Sequence, residues 1–185
     1  IAGLPGDVFI RDHLDDPHLN HVRVAKEFVK FGERCFVRLL GDMRTVNYVV
    51  DITPDFEEVQ YRVRPIDFDQ QSYEGRISVY RAHMFPDNKP VEELVRAHLN
   101  NQTILQYRAE EHLQMSRRAK VERNRLKAIL TVMNRTEVAP HDHFVALRDS
   151  LVEHYGSHAF EACETMGALT AIHLQTVLNL TPPPR

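Results

Sequence analysis

With only two cysteines in 185 residues, Cys35 and Cys163, the chain has no disulfide framework to rely on. Two isolated thiols point to a reducing compartment, and the expected localisation is cytoplasmic. Long hydrophobic runs are also missing. No apolar stretch approaches the ~20 residues needed to span a bilayer, and no signal-like segment opens the chain, so no membrane partner is expected. Nor is there an excess of positive charge. The formal net charge is −3, which gives no global basic field for nucleic acid. No Ser/His/Asp or Cys/His nucleophile arrangement stands out. Eleven histidines are present, but His18/His21, His141/His143 and His154/His158 match neither the helical His-Glu-x-x-His pattern nor a Cys-containing zinc signature. Their simplest reading is as solvated or capping side chains.

What is present suits a globular core. Hydrophobic residues are 43% and charged residues 26% of the chain, enough for one domain or part of a larger protein. The chain begins with Ile1 rather than Met, which suggests a fragment of a longer protein. Residues 1–17 hold Gly3, Pro5, Gly6 and Pro17 and read as an irregular lead-in, with a short extended piece at Val8–Ile10. Asp16-Pro17 then looks like a helix start. Leu19, Val22, Ala25, Phe28 and Val29 follow at helical spacing to about Gly32. Cys35–Leu39 reads as a strand leading into a loop at Gly41. Asn47–Thr53 and Val59–Ile66 alternate as two strands, with Pro54–Glu58 as their turn. This second section covers 18–75.

Residues 76–180 read as a helical bundle. Lys89-Pro90 opens one helix to about Leu99. A second helical region spans Thr103 to Met133, as one helix or two. His141–Tyr155 is a helix stopped by Gly156, and Ala159 to about Leu178 is the last. Residues 181–185, Thr-Pro-Pro-Pro-Arg, form a tail that cannot continue it. Arg117, Arg118, Lys120, Arg123, Arg125 and Lys127 spread around the helix circumference, as a solvated, ion-paired surface would. The expected fold class is α+β, mostly helical, in a single domain.

The chemistry concentrates between Gly41 and Asp69. An antiparallel hairpin brings its two outer ends together, so Asp42, Asn47 and Asp67 should converge. Three oxygen-bearing side chains at one spot suit a hard divalent cation. Phosphoryl transfer needs such parts: a carboxylate that orients the attacking hydroxyl, and oxygen ligands that hold magnesium against nucleotide phosphates. Asp42 and Asn47 have the five-residue spacing of one known solution, and Asp67 follows the returning strand.

Gly41-Asp42-x-x-x-x-Asn47-Tyr-Val-Val-Asp51, followed by Ile66-Asp67-Phe68-Asp69, resembles the catalytic core of kinase-like phosphotransferases. The similarity is nearest to the aminoglycoside phosphotransferase and choline kinase branch, and Tyr73-x-Gly75 echoes it too. The resemblance covers about 30 residues closely. It implies a protein-kinase-like large (C-terminal) lobe, with a small β-hairpin carrying the catalytic loop. It also implies ATP and Mg as cofactors, Asp42 as catalytic base, and Asn47 and Asp67 as metal- and nucleotide-binding residues. Arg44 would stand where eukaryotic-type kinases keep a Lys near the transferred phosphate, and Asp69 would be an additional acid. The partners implied are a nucleotide and an acceptor hydroxyl or amine. Neither a Gly-rich phosphate loop nor a strand Lys with a helix Glu partner precedes Asp42, so a small N-terminal lobe is expected elsewhere in the parent chain. The alternative is a non-catalytic helical interaction module, a pseudokinase-like scaffold.

Overall fold

A computed structural model describes residues 3–56 and 58–180. Its backbone is α+β and mainly helical, with seven α-helices and one three-stranded antiparallel sheet. Strand β1 is Leu4–Pro5, β2 is Tyr48–Pro54 and β3 is Val59–Pro65. The hairpin β2–β3 lies within a residue of its expected bounds. Tyr48 faces Pro65 and Pro54 faces Val59.

The lead-in is more ordered than its glycines and prolines suggest. Leu4 and Pro5 pair with Val50 and Val49 at the sheet edge, and Gly6–His13 form helix α1 in place of the expected extended piece at Val8–Ile10. Pro5 stands just before the helix with an extended backbone, where its missing N–H costs nothing. Gly6 is needed for close approach: a Cβ there would collide with the Tyr48 ring and the Thr45 carbonyl.

Helix α2, His21–Arg38, is the central element. It begins later than Asp16-Pro17 implies. Asn20 caps it by accepting the Arg23 N–H at 3.2 Å, while Asp16 closes a separate turn on the His18 N–H at 2.9 Å. It also runs past Gly32 and absorbs Cys35–Arg38, which read as a strand. A short apolar run carries no periodicity to separate the two forms. The helix ends at Leu39, at φ 50°. The left-handed turn costs a non-glycine residue about 1–2 kcal/mol. Two burials offset it, because Leu39 and Leu40 turn into opposite cores. Leu40 joins Phe9, Phe28, Phe31, Tyr48, Val50 and Val63 beneath the sheet. Leu39 joins Tyr80, Phe144, Leu147, Leu151, Phe160 and Leu169 among the later helices. Each buried Leu contributes roughly 1.5–3 kcal/mol.

The later helices are α3 (Lys89–His98), α4 (Asn101–Val121), α5 (Arg123–Met133), α6 (His141–Tyr155) and α7 (Met166–Leu178). The long basic region is therefore two helices, with a break at Glu122, and its six cationic residues are all exposed. Gly156, at φ 59°, ends α6 as expected. The last helix starts at Met166 rather than Ala159, with the Thr165 hydroxyl accepting the Ala168 N–H at 3.1 Å. The expected tail at 181–185 lies outside the described residues. Among those residues no helix is long and apolar enough to cross a membrane. Both thiols are free and buried, and burial pushes Cys35 up to about 12.

His173 ties α7 to α2. Its Nε2–H donates to the Phe36 carbonyl at 3.0 Å, which leaves Nδ1 to accept from the Tyr155 hydroxyl at 3.4 Å. Burial lowers its pKa from 6.5 to about 4. The unfolded chain takes up this proton near 6.5 and the folded protein only near 4. Stability should therefore fall as pH drops between those values, by on the order of 3 kcal/mol from this ring. Urea unfolding of the native sequence and of His173→Gln from pH 7 to 4.5 checks this. The variant should show the shallower decline, and parallel curves would exclude the role.

Candidate functional site

The hairpin brings the two polar clusters to one end of the sheet. The Ile66 N–H donates to the Asn47 carbonyl at 3.0 Å, extending the β2–β3 ladder past Tyr48. Beyond it the chain segments stay adjacent. Leu40 bridges Gln71, Gly41 N–H donates to the Gln70 carbonyl at 3.3 Å, and Ser72 N–H donates to the Leu39 carbonyl at 2.7 Å. The 41–47 loop and the 66–72 loop thus run side by side.

The backbone there is unusual. Among the described residues, four non-glycine positions have positive φ, and Leu39, Asp42 and Ser72 are three of them. Asp tolerates this region better than most residues. At φ 53° Asp42 is turned out of regular structure, and its side chain sits back over its own loop. Asn47 Nδ2 donates to the Asp42 carbonyl at 2.6 Å and lies 3.3 Å from Asp42 Oδ2. The Arg44 N–H donates to the Asp42 carbonyl, and the Asn47 N–H to the Arg44 carbonyl, both at 2.9 Å. The five-residue Asp-to-Asn spacing closes a hydrogen-bonded loop in which the Asn amide nitrogen faces Asp42. The Asn oxygen accepts no hydrogen bond from the described residues.

Arg44 forms a fork on Asp42, with Nε 2.8 Å from Oδ1 and Nη2 2.9 Å from Oδ2. The pair is half exposed. On the other loop, Asp67 Oδ1 accepts the Asp69 N–H at 3.1 Å. Partial desolvation, a hydrogen bond to Asp67, and the charges of Asp67 and Asp42 together raise the Asp69 carboxyl above its ordinary range. Three acids from two loops therefore share one electrostatic neighbourhood. Such crowding is relieved by a proton or a cation. Beside them, Gln70 Oε1 is buried and has no hydrogen-bond partner among the described residues. Among the described residues no group of three or more His, Cys, Asp or Glu side chains is placed to hold a metal. Asn47 and Asp67 would between them offer a cation two side-chain donors. Oxygen donors in that number are compatible in kind with magnesium, which keeps several waters and takes other ligands from phosphates.

The loop is fixed from behind by Asn88, a residue that the sequence pattern does not single out. Asn88 is fully buried. Its Nδ2 donates to the Met43 carbonyl at 2.8 Å and the Ala82 carbonyl at 2.7 Å, and its Oδ1 accepts the Tyr48 hydroxyl at 2.8 Å. Standing before Lys89-Pro90, it has the sequence appearance of a routine helix cap, yet it makes no capping bond. From the other side, Ser72 Oγ lies 3.2 Å from Thr170 Oγ1 on α7, one hydroxyl donating to the other.

In each of the three histidine pairs one ring has a hydrogen-bond partner from the protein, with His158 Nδ1 2.9 Å from Glu161 Oε1. His21 Nε2–H donates to the Leu14 carbonyl at 3.0 Å, and the His143 Nδ1 to the Tyr73 carbonyl at 3.0 Å.

No protein-family model matches the chain, and no curated protein or solved structure is significantly similar to it.

Proposed function

We propose that the chain is the large-lobe part of a magnesium- and ATP-dependent phosphotransferase, acting on an acceptor hydroxyl or amine. The observation that carries this reading is the antiparallel register. The Ile66 N–H bond to the Asn47 carbonyl, at 3.0 Å, pairs the ends of the two loops that carry Asp42, Asn47 and Asp67, which supports a reading in which the three act together. In this role Asp42 orients the acceptor and takes its proton, and the Asn47 oxygen and Asp67 carboxylate hold the cation. When bound, magnesium would neutralise charge on the nucleotide phosphates. Asp69, with its raised pKa beside Asp67, buffers the charge of the pair. Arg44 must leave Asp42 for the acceptor to approach, and it is then free to meet charge developing on the transferred group.

The fork on Asp42 favours a second reading. With both carboxylate oxygens held by Arg44, the hairpin could serve as a non-catalytic scaffold for a helical interaction module. Magnesium-dependent ATP turnover by the full-length protein separates the two. In the enzyme, Asp42→Ala lowers kcat by about 10²–10⁴, and Asp67→Asn abolishes turnover without altering the circular dichroism spectrum. Turnover that survives both substitutions rules out the assigned roles, and no turnover in the full-length native sequence leaves the scaffold.

A further inference from the structure

A cavity of about 560 Å³ opens between α2, α3, α4, α6, α7 and the Arg81–His83 segment. This is the size of a small-molecule site. None of its walls comes from residues 37–80, so it is separate from the candidate phosphotransfer site and does not rest on that reading.

Phe28, Val29, Val95, Ile104, Leu105 and Val177 supply apolar walls. The acids on the walls are already matched. Glu33 lies 2.9 Å from His112 Nε2 and 2.9 Å from Arg108 Nε, the latter in a geometry that makes no hydrogen bond, and Glu92 lies 3.4 Å from Arg96 Nε. Arg81 differs. Its guanidinium lies over the Phe36 ring, 4.7 Å from the centroid, and no ion pair among the described residues includes it. Burial, with the charge of Arg81, holds the neighbouring His83 and His154 below their ordinary range. Among the described residues Arg81 is therefore the guanidinium on the cavity wall with no acid beside it, and it rests on an aromatic platform.

Gly32 is the second observation. It lies inside α2 and lines this cavity. A glycine within a helix costs about 0.5–1 kcal/mol relative to alanine. The other helical glycines, Gly6 and Gly167, sit against neighbours that a Cβ would strike, whereas a Cβ on Gly32 would meet nothing within 4 Å. Neither packing nor backbone conformation calls for glycine here. What its bare backbone provides is a flat floor in an open cavity.

We propose that this cavity binds a small organic monoanion, with its carboxylate forked on Arg81 and its apolar body along α2 at Gly32. One guanidinium balances one carboxylate in bidentate geometry. A phosphate dianion would need a second free cation.

Calorimetry on the full chain tests this, with octanoate and 2-naphthoate as probes and 1-octanol and 2-naphthol as their neutral counterparts. At least one carboxylate should bind saturably at one site. Arg81→Gln should weaken it at least tenfold while leaving the neutral probes unchanged. Gly32→Leu and, from the opposite wall, Leu105→Trp should each abolish binding; Gly32→Ala, which adds one methyl to the helix, controls for folding. Absence of saturable binding by both carboxylates would overturn the proposal. So would undiminished binding in the folded cavity-filling variants, or tighter binding of 2-naphthyl phosphate than of 2-naphthoate.

Discussion

Arg34→Met should remove about 3–5 kcal/mol of stability, the cost of stranding a buried charge. Arg34 and Glu111 are almost wholly enclosed, and Glu27 nearly so. Arg34 Nη2 donates to Glu27 Oε1 at 2.6 Å and to the Val63 carbonyl at 2.9 Å. Its Nη1 lies 3.4 Å from Glu111 Oε2, in a geometry that makes no hydrogen bond. Glu27 Oε1 also accepts the Val63 N–H at 3.0 Å. One guanidinium thus holds α2, α4 and β3 together and serves two acids at once. Without it Glu27 keeps only the Val63 N–H and the more distant Arg62, 3.7 Å away, and Glu111 loses the one cation that pairs with it within 4 Å among the described residues. The triple variant Arg34→Leu, Glu27→Gln, Glu111→Met should recover most of the loss. Gln preserves the oxygen that accepts the Val63 N–H, the two enclosed carboxylates leave together with the guanidinium, and Arg62 keeps a partly exposed side chain. Urea midpoints of the two variants decide it; a triple variant no more stable than Arg34→Met would show that Arg34 acts through packing instead.

Asn88→Ala is the second large effect, and it reaches the candidate site. Three buried groups lose their partner: the Tyr48 hydroxyl and the Met43 and Ala82 carbonyls. At about 1–3 kcal/mol for each unsatisfied group, partly relieved by water in the space left, the loss should be about 3 kcal/mol or more. Asn88→Asp should cost at least as much, because it keeps the acceptor for Tyr48 but turns a carboxylate against two carbonyls. Tyr48→Phe should cost least, about 1–2 kcal/mol. Because Met43 lies between Asp42 and Arg44, the Asn88 variants should also speed hydrogen exchange at the Arg44 and Asn47 amides. Exchange unchanged in a folded Asn88→Ala protein would mean that the loop holds its shape unaided.

These two residues also mark where sequence reading stops. The hairpin was legible because period-two alternation and a Pro54–Glu58 turn are local signals. The helices opened by Lys89-Pro90 and closed by Gly156 were legible for the same reason. Helix α1 was not, because Pro5 and Gly6 read as breakers while their use depends on Tyr48, more than 40 residues away. Cys35–Leu39 was not, because packing into two cores decides its form. Asn88 bonds to Met43 and Tyr48 across 45 and 40 positions, and Arg34 bonds to the Val63 carbonyl across 29 and pairs with Glu111 from further along the chain still. A buried polar residue looks like a surface one until its distant partners are known. At the site itself, the pairing of Asn47 with Ile66 was legible. The positive φ of Asp42 and its fork with Arg44 were not, since both depend on how the loop closes.

The site's convergence can be measured without a nucleotide or an acceptor. Manganese(II) titrated into the isotopically labelled full chain broadens amide resonances near where it binds. If Asp42, Asn47 and Asp67 form one cation site, broadening should appear together at residues 42–47 and 67–69, and Asp67→Asn should remove it from both loops. Broadening confined to one loop, or unchanged in Asp67→Asn, would contradict a shared cation site.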